Sequence, residues 1–186
     1  MPNRTQIVCL HEGEKGSSIN EVFINRLIRT LKPAWIRPFG SNWVRLVPKG
    51  SRTDVINAMP AELKACLDMG GHTTLMVWAD LDHDMADGDA LRRRFLDKAR
   101  EQGISEADFN SVVFIFSKDR LENWIEFLLD GSTDESREGD RVRSNRKVAA
   151  AALKLAQYCT QDCAVELPSS LKWSCRNWRA LAERMK

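Results

Sequence analysis

The sequence predicts an α/β domain whose mostly parallel sheet is covered by helices on both faces. Two observations carry this expectation. Four short apolar runs, QIVCL at 6–10, WVRLV at 43–47, TTLMVWA at 73–79 and SVVFIF at 111–116, read as strands, and stretches of helical period lie between them. Near-continuous apolar strands are buried on both faces, and parallel neighbours need a crossover that is usually a helix. A chain of 186 residues suits one such core with room for an appendage.

Each element has its own warrant. The first run ends at His11-Glu12-Gly13, and after Ser17-Ser18 the apolar residues Ile19, Val22, Phe23, Leu27, Ile28 and Leu31 recur at three- and four-residue steps, which predicts a capped amphipathic helix. The second run passes through Pro48-Lys49-Gly50 into a helix reaching about Leu67, ahead of Gly70-Gly71, with Pro60 expected to break or restart it. The third and strongest run meets Asp80-Leu81-Asp82-His83-Asp84, and a helix is expected from about Asp87 to Gln102, closed by Gly103. The fourth passes through Ser117-Lys118-Asp119 into the helix RLENWIEFLL.

Residues 130–147 hold ten charged side chains and one aliphatic, Val142, and are expected to form an exposed, mobile loop. An alanine-rich helix, KVAAAALKLAQYC, and a last basic helix over about Cys175–Arg184 follow. The expected organisation is a core over 1–130, a charged loop over 131–147 and a basic helical extension over 148–186 packed on that core.

A composition of 43% hydrophobic and 29% charged residues excludes intrinsic disorder and a histone-like polycation. The formal net charge of +2 hides an asymmetry: residues 1–140 carry −5 and residues 141–186 carry +7. No apolar run nears the roughly 18–20 residues of a membrane span and no signal-peptide pattern opens the chain, so a cytoplasmic protein without a membrane partner is expected. The five cysteines, Cys9, Cys66, Cys159, Cys163 and Cys175, are odd in number and scattered, which is read as reduced thiols. Cys159-x3-Cys163 followed by Cys175 lacks a second tight pair and a nearby His, so zinc is not expected.

Ligands of open parallel sheets bind beyond the carboxyl ends of the strands. Two such ends carry acids: Glu12 and Glu14 after the first strand, and Asp80, Asp82 and Asp84 after the third. Asp80 and Asp82, if extended, project to the same side, where repulsion raises a pKa or recruits a hard divalent cation, Mg²⁺ or Mn²⁺. The structural alternative is that an Asp after a buried strand caps the next helix or solvates a loop.

A strand ending in Leu10-His11-Glu12-Gly13, followed by a helix and a later strand ending in Val77-Trp78-Ala79-Asp80-Leu81-Asp82, resembles the Toprim domain of topoisomerases, bacterial primases, recombination-repair proteins and OLD-family nucleases. Arg120-Leu121-Glu122-Asn123-Trp124-Ile125 resembles the Glu-x-Trp helix start of small stand-alone Toprim-like proteins, several of them encoded beside ATPases. The resemblance covers residues 5–130; Lys15 stands where the family often has an Asp.

The resemblance implies a Rossmann-like fold and a Mg²⁺- or Mn²⁺-dependent nuclease. Glu12, Asp80 and Asp82 would be catalytic and metal-binding, with Glu122 and Asp84 as further ligands. Water is expected as the nucleophile, because the only tyrosine, Tyr158, sits in the alanine-rich helix. Nucleic acid, DNA ahead of RNA, is the expected substrate, contacted by Lys118, Arg141, Arg143, Arg146, Lys147, Arg176 and Arg179, with Trp173 and Trp178 interleaved. A partner ATPase is implied, as in antiviral defence or DNA repair, and an oligomer is left open. The alternative is a non-catalytic module that binds nucleic acid or an ATPase. A HAD phosphohydrolase is disfavoured because its Asp-x-Asp ends the first strand, and a receiver domain because it uses a single Asp at its third.

Overall fold

The computed structural model of the chain describes residues 6–14, 18–31, 43–161 and 164–185; Lys15 and Cys163 lie outside them. Four strands form where the apolar runs predict them: β1 (Gln6–Glu12), β2 (Val44–Lys49), β3 (Thr73–Leu81) and β4 (Val113–Lys118). They make one sheet of order β2-β1-β3-β4, and every neighbouring pair is parallel. Helices α1 (Ile19–Ile28), α2 (Arg52–Asp68), α3 (Gly88–Glu101), α4 (Glu106–Phe109), α5 (Leu121–Asp130), α6 (Asn145–Thr160) and α7 (Ser169–Arg184) complete the described chain. None of them is long and apolar enough to cross a membrane.

Strand alternation divides the core in two. Ile7, Cys9, Met76, Trp78, Val113 and Ile115 pack with residues of α1, α5, α6 and α7. Val8, Leu10, Leu75, Val77, Phe114 and Phe116 pack with residues of α2, α3 and α4. Trp78 anchors the first layer, meeting Phe23 and Trp124 edge-on, each at 5.7 Å between ring centres.

Two sequence expectations need correction, on Pro60 and on the cysteines. Pro60 neither breaks nor restarts α2, which runs unbroken from Arg52 to Asp68. An interior proline costs about 3 kcal/mol, and here a Ser51–Asp54 capping box and the buried face Val55, Ile56, Met59, Leu63 and Cys66 offset it. The charged segment after α5 is the largely exposed loop expected, and specific contacts tie it to the core. Arg120 pairs with Glu138 at 2.9 Å, the Thr133 hydroxyl donates to Glu126 at 3.0 Å, and the Asn123 amide donates to the Arg137 carbonyl at 3.0 Å. Gly139 lies so close to Asn123 that a Cβ there would sit 2.4 Å from its Oδ1.

The cysteines are not all reduced: Cys159 at the end of α6 and Cys175 within α7 form a disulfide, while Cys9 and Cys66 are free and buried. Helix packing brings these two Cα atoms to 4.8 Å, a proximity that sequence spacing does not disclose. Trp173 and Trp178, interleaved with the cations of α7, pack on the core, the alternative to base stacking that an amphipathic helix offers. Trp178 is buried, and the Trp173 ring stacks on Phe116 at 5.0 Å.

Helix α7 begins earlier than expected and shields the free edge of β4. The Ser174 hydroxyl accepts the Phe116 N–H at 2.9 Å and donates to the Phe116 carbonyl at 3.1 Å, while the Asn177 amide donates to the Phe114 carbonyl at 2.9 Å. These side chains take the place of a fifth strand. Ser174→Ala would leave a buried N–H without a partner, so the variant is expected to lose about 1–3 kcal/mol, read as a lower urea midpoint at unchanged m. An unaltered midpoint would show that the edge is satisfied without the hydroxyl.

Candidate functional site

The strand order reverses direction at β1: the chain moves from β1 outward to β2, then returns to place β3 on the other side. The crevice beyond the carboxyl ends of β1 and β3 is therefore the topological switch point, where ligands of open α/β sheets bind. Glu12 ends β1 and Asp80 stands one residue before the end of β3.

The two acids are joined by hydrogen bonds across the sheet. Glu12 Oε1 accepts the Asp80 backbone N–H at 2.8 Å. Asp80 Oδ1 accepts a short hydrogen bond from the Ser117 hydroxyl, and the β3–β4 register places Ser117 directly opposite Asp80. Ser117 is fully buried, so its hydroxyl has been withdrawn from water for this contact. Beneath Glu12, the fully buried His11 holds its Nδ1 2.8 Å from the Glu12 carbonyl, which fixes the proton on that nitrogen.

Burial pushes the Glu12 carboxyl above its ordinary value, with Asp82 adding to the rise and the Asp80 amide and Arg52 opposing it. Asp80 is raised well above the usual aspartate value, first by burial and then by the charge of Glu12; Asp82 and Glu122 add to this, against the Ser117 hydrogen bond. Glu122, in the first turn of α5, thus contributes through its charge.

Asp82 and Asp84 have other partners. Strand β3 stops at Leu81, so Asp82 escapes the alternation that would set it beside Asp80. Its Oδ2 is 3.0 Å from Arg52 Nη1, and the Asp84 carboxylate is 3.0 Å from Arg52 Nη2 and 3.7 Å from Arg94. Arg52 is largely buried, whereas both aspartates are more than half exposed. No motif marks Arg52 or Ser117 in the sequence; each acts through a contact that only the folded sheet creates. Asp119 also went unnoticed: it is a buried carboxylate at φ 56°, 3.6 Å from the exposed His83, and its Oδ2 lacks a hydrogen-bond partner.

The expected nucleic-acid contacts separate into unlike surroundings. Arg141, Arg143 and Lys147 line a cavity of about 360 Å³ together with Glu122, Glu126, Asp130 and Asp140. Arg146 is exposed in the first turn of α6. Arg179 donates to the Cys159 carbonyl at the end of α6. Lys118 and Arg176 line a second cavity, of about 390 Å³.

All donors near the switch point are oxygens, which suits a hard cation. Among the described residues no three His, Cys, Asp or Glu side chains converge as a ready-made metal cage. Mg²⁺ needs no such cage, since it is commonly held by one or two carboxylates with waters and substrate phosphates. Glu12 and Asp80 each commit one oxygen to the hydrogen-bond chain, which leaves one oxygen apiece for a cation. The donor set fits. Neither the family models nor the curated proteins compared with this chain match it.

A carboxyl whose folded pKa lies above its unfolded value of about 3.9–4.3 gives stability that is complete below that value and lost as pH rises through the folded pKa. In metal-free protein, Asp80→Asn is therefore expected to melt higher than wild type at neutral pH, and the difference should vanish in acid. Equal melting temperatures across the range would contradict the strained-carboxylate geometry.

Proposed function

We propose that this chain is a Mg²⁺- or Mn²⁺-dependent nuclease of the Toprim type that hydrolyses phosphodiester bonds. The observation that carries the reading is the meeting of Glu12 and Asp80 across adjacent strands at the switch point, both driven toward protonation by burial and charge. Arg52 offsets only part of this negative charge, and a divalent cation supplies the rest. Glu12 and Asp80 would hold the cation, whose chemistry there is to polarise the phosphoryl oxygen and acidify water.

The other residues have supporting parts. Ser117 orients the Asp80 carboxylate from the neighbouring strand, and the Asp80 amide orients Glu12. Arg52 gathers Asp82 and Asp84 at the mouth of the crevice, so these acids do not repel a polyanionic substrate at full strength. The only tyrosine, Tyr158, packs beside Phe127 at 6.3 Å between ring centres, which supports water as the nucleophile. The resemblance to stand-alone Toprim-like proteins supports a role as effector subunit beside an ATPase, in antiviral defence or DNA repair.

A second reading has one observation in its favour. Arg52 occupies two of the acids that would complete a larger metal set, which suits a Toprim-like module that binds nucleic acid or an ATPase without cutting.

Incubation with plasmid, single-stranded DNA and RNA, with Mg²⁺, Mn²⁺ or EDTA, distinguishes the two readings. Cleavage is expected only with metal, and Asp80→Asn or Glu12→Gln should slow it by more than about 100-fold. Cleavage that persists in both variants would refute the assignment of the site. Binding without cleavage of any substrate would favour the module.

A further inference from the structure

We propose that the cavity of about 390 Å³ framed by the ends of β3 and β4 and the first turns of α3 and α7 seats a backbone phosphate of a nucleic-acid strand, next to the bond that is cut. The inference rests on the nuclease reading for the identity of the strand.

Three cations line the cavity. Lys118 ends β4, and Lys172 and Arg176 lie four residues apart on α7, one above the other on the same helix face. The cavity also contains two acids, and both are engaged elsewhere. Asp87 caps α3 by accepting the Ala90 N–H at 2.8 Å, and Asp89 accepts the Trp173 indole N–H at 3.0 Å. Lys118 Nζ donates to the Met85 carbonyl at 3.4 Å, and no ion pair joins either acid to Lys172 or Arg176, so those two cations are left for a ligand. The first turn of α7 lines the same space, but its Ser169 and Ser170 hydroxyls donate to the Glu135 carboxylate, so the positive charge of the seat comes from Lys172 and Arg176.

The wall decides between phosphate and base. The Trp173 ring stacks on Phe116 and presses against Gly88, where an added Cβ would come within 2.4 Å of the indole. With both ring faces occupied, no base can stack there, which leaves the backbone as the part of the strand that this cavity recognises.

Position supports a flanking role. Leu81 and Lys118, which line the cavity, are the rung immediately after Asp80 and Ser117 in the β3–β4 register. Consecutive Cα atoms are about 3.8 Å apart, and alternate side chains point to opposite faces of the sheet. The cavity therefore opens beside the carboxylates rather than on them. The cavity lined by Arg141, Arg143 and Lys147 is a poorer match, because four acids share it with three cations.

The test is equilibrium binding of fluorescein-labelled oligothymidylate of about 20 nucleotides in EDTA, which removes cleavage from the readout. Lys172→Ala/Arg176→Ala is compared with Lys64→Ala/Lys154→Ala, which removes the same charge from exposed positions on α2 and α6. The α7 pair is expected to weaken binding by about tenfold or more and to lower the slope of log affinity against log salt by about 1, with the melting temperature retained. The Lys64/Lys154 pair should change affinity by less than about twofold. Equal losses in the two pairs, or no binding by wild type, would overturn the seat. Loss confined to the α7 pair in a protein that cleaves nothing with any metal would uphold the seat and reject the nuclease reading.

Discussion

A chain of side-chain hydrogen bonds runs across the sheet, perpendicular to its strands, from the Glu12 carboxylate on β1 through the amide of Asp80 on β3 to the Ser117 hydroxyl on β4. It exists only if three parallel strands hold one register, because a slip of one residue would turn Ser117 away from Asp80 and put Val113 and Ile115 on the wrong layer. The apolar core enforces that register on both faces, with Trp78 wedged between Phe23 and Trp124 on one side and Phe114 and Phe116 filling the other. Core packing and the chemistry at the strand ends are thus one constraint. The hydrophobic energy that fixes the strands also holds two carboxylates in a place that burial makes costly for both.

That arrangement separates two kinds of acid at the mouth. Glu12 and Asp80 are partly buried and linked through the Asp80 N–H, whereas Asp82 and Asp84 are exposed and tied to Arg52. Exposed ion pairs of this kind contribute little to stability, so the arginine matters more for where negative charge is presented than for holding the fold. On the opposite side of the strand ends, the charge balance reverses around Lys118, Lys172 and Arg176. The asymmetry between the acidic first part of the sequence and its basic end becomes, in three dimensions, an acidic crevice with a cationic wall beside it.

The parts of this architecture that depend on local pattern were legible in the sequence. All four strands follow from apolar runs, and Glu12 and Asp80 from carboxylates placed where such strands end. The parts that depend on distant contacts were not. Arg52 meets Asp84 across 32 residues and Ser117 meets Asp80 across 37, with nothing in their neighbours to announce it. Pro60 misled because helix propensity is a local quantity, while the face that keeps α2 continuous is buried by tertiary packing. The charged segment after α5 is the exposed loop its polarity announces, but the partners its polar groups find on α5 and α7 depend on the fold and leave no mark in the sequence. Cysteine spacing likewise contains no record of two helices that fold against each other.

The cover that α7 gives to β4 also sets an order of assembly. As the chain emerges during synthesis, β1, β3 and β4 are all available before Ser174 and Asn177 exist, so a nascent sheet carries an open, strongly hydrophobic edge through the making of α5 and α6. The closing residues belong to α7, which follows all four strands in the chain. Truncations within α7 would therefore do more than trim a basic tail: they would leave the edge strand VFIF able to pair with a second chain, making aggregation the natural failure of an incomplete product.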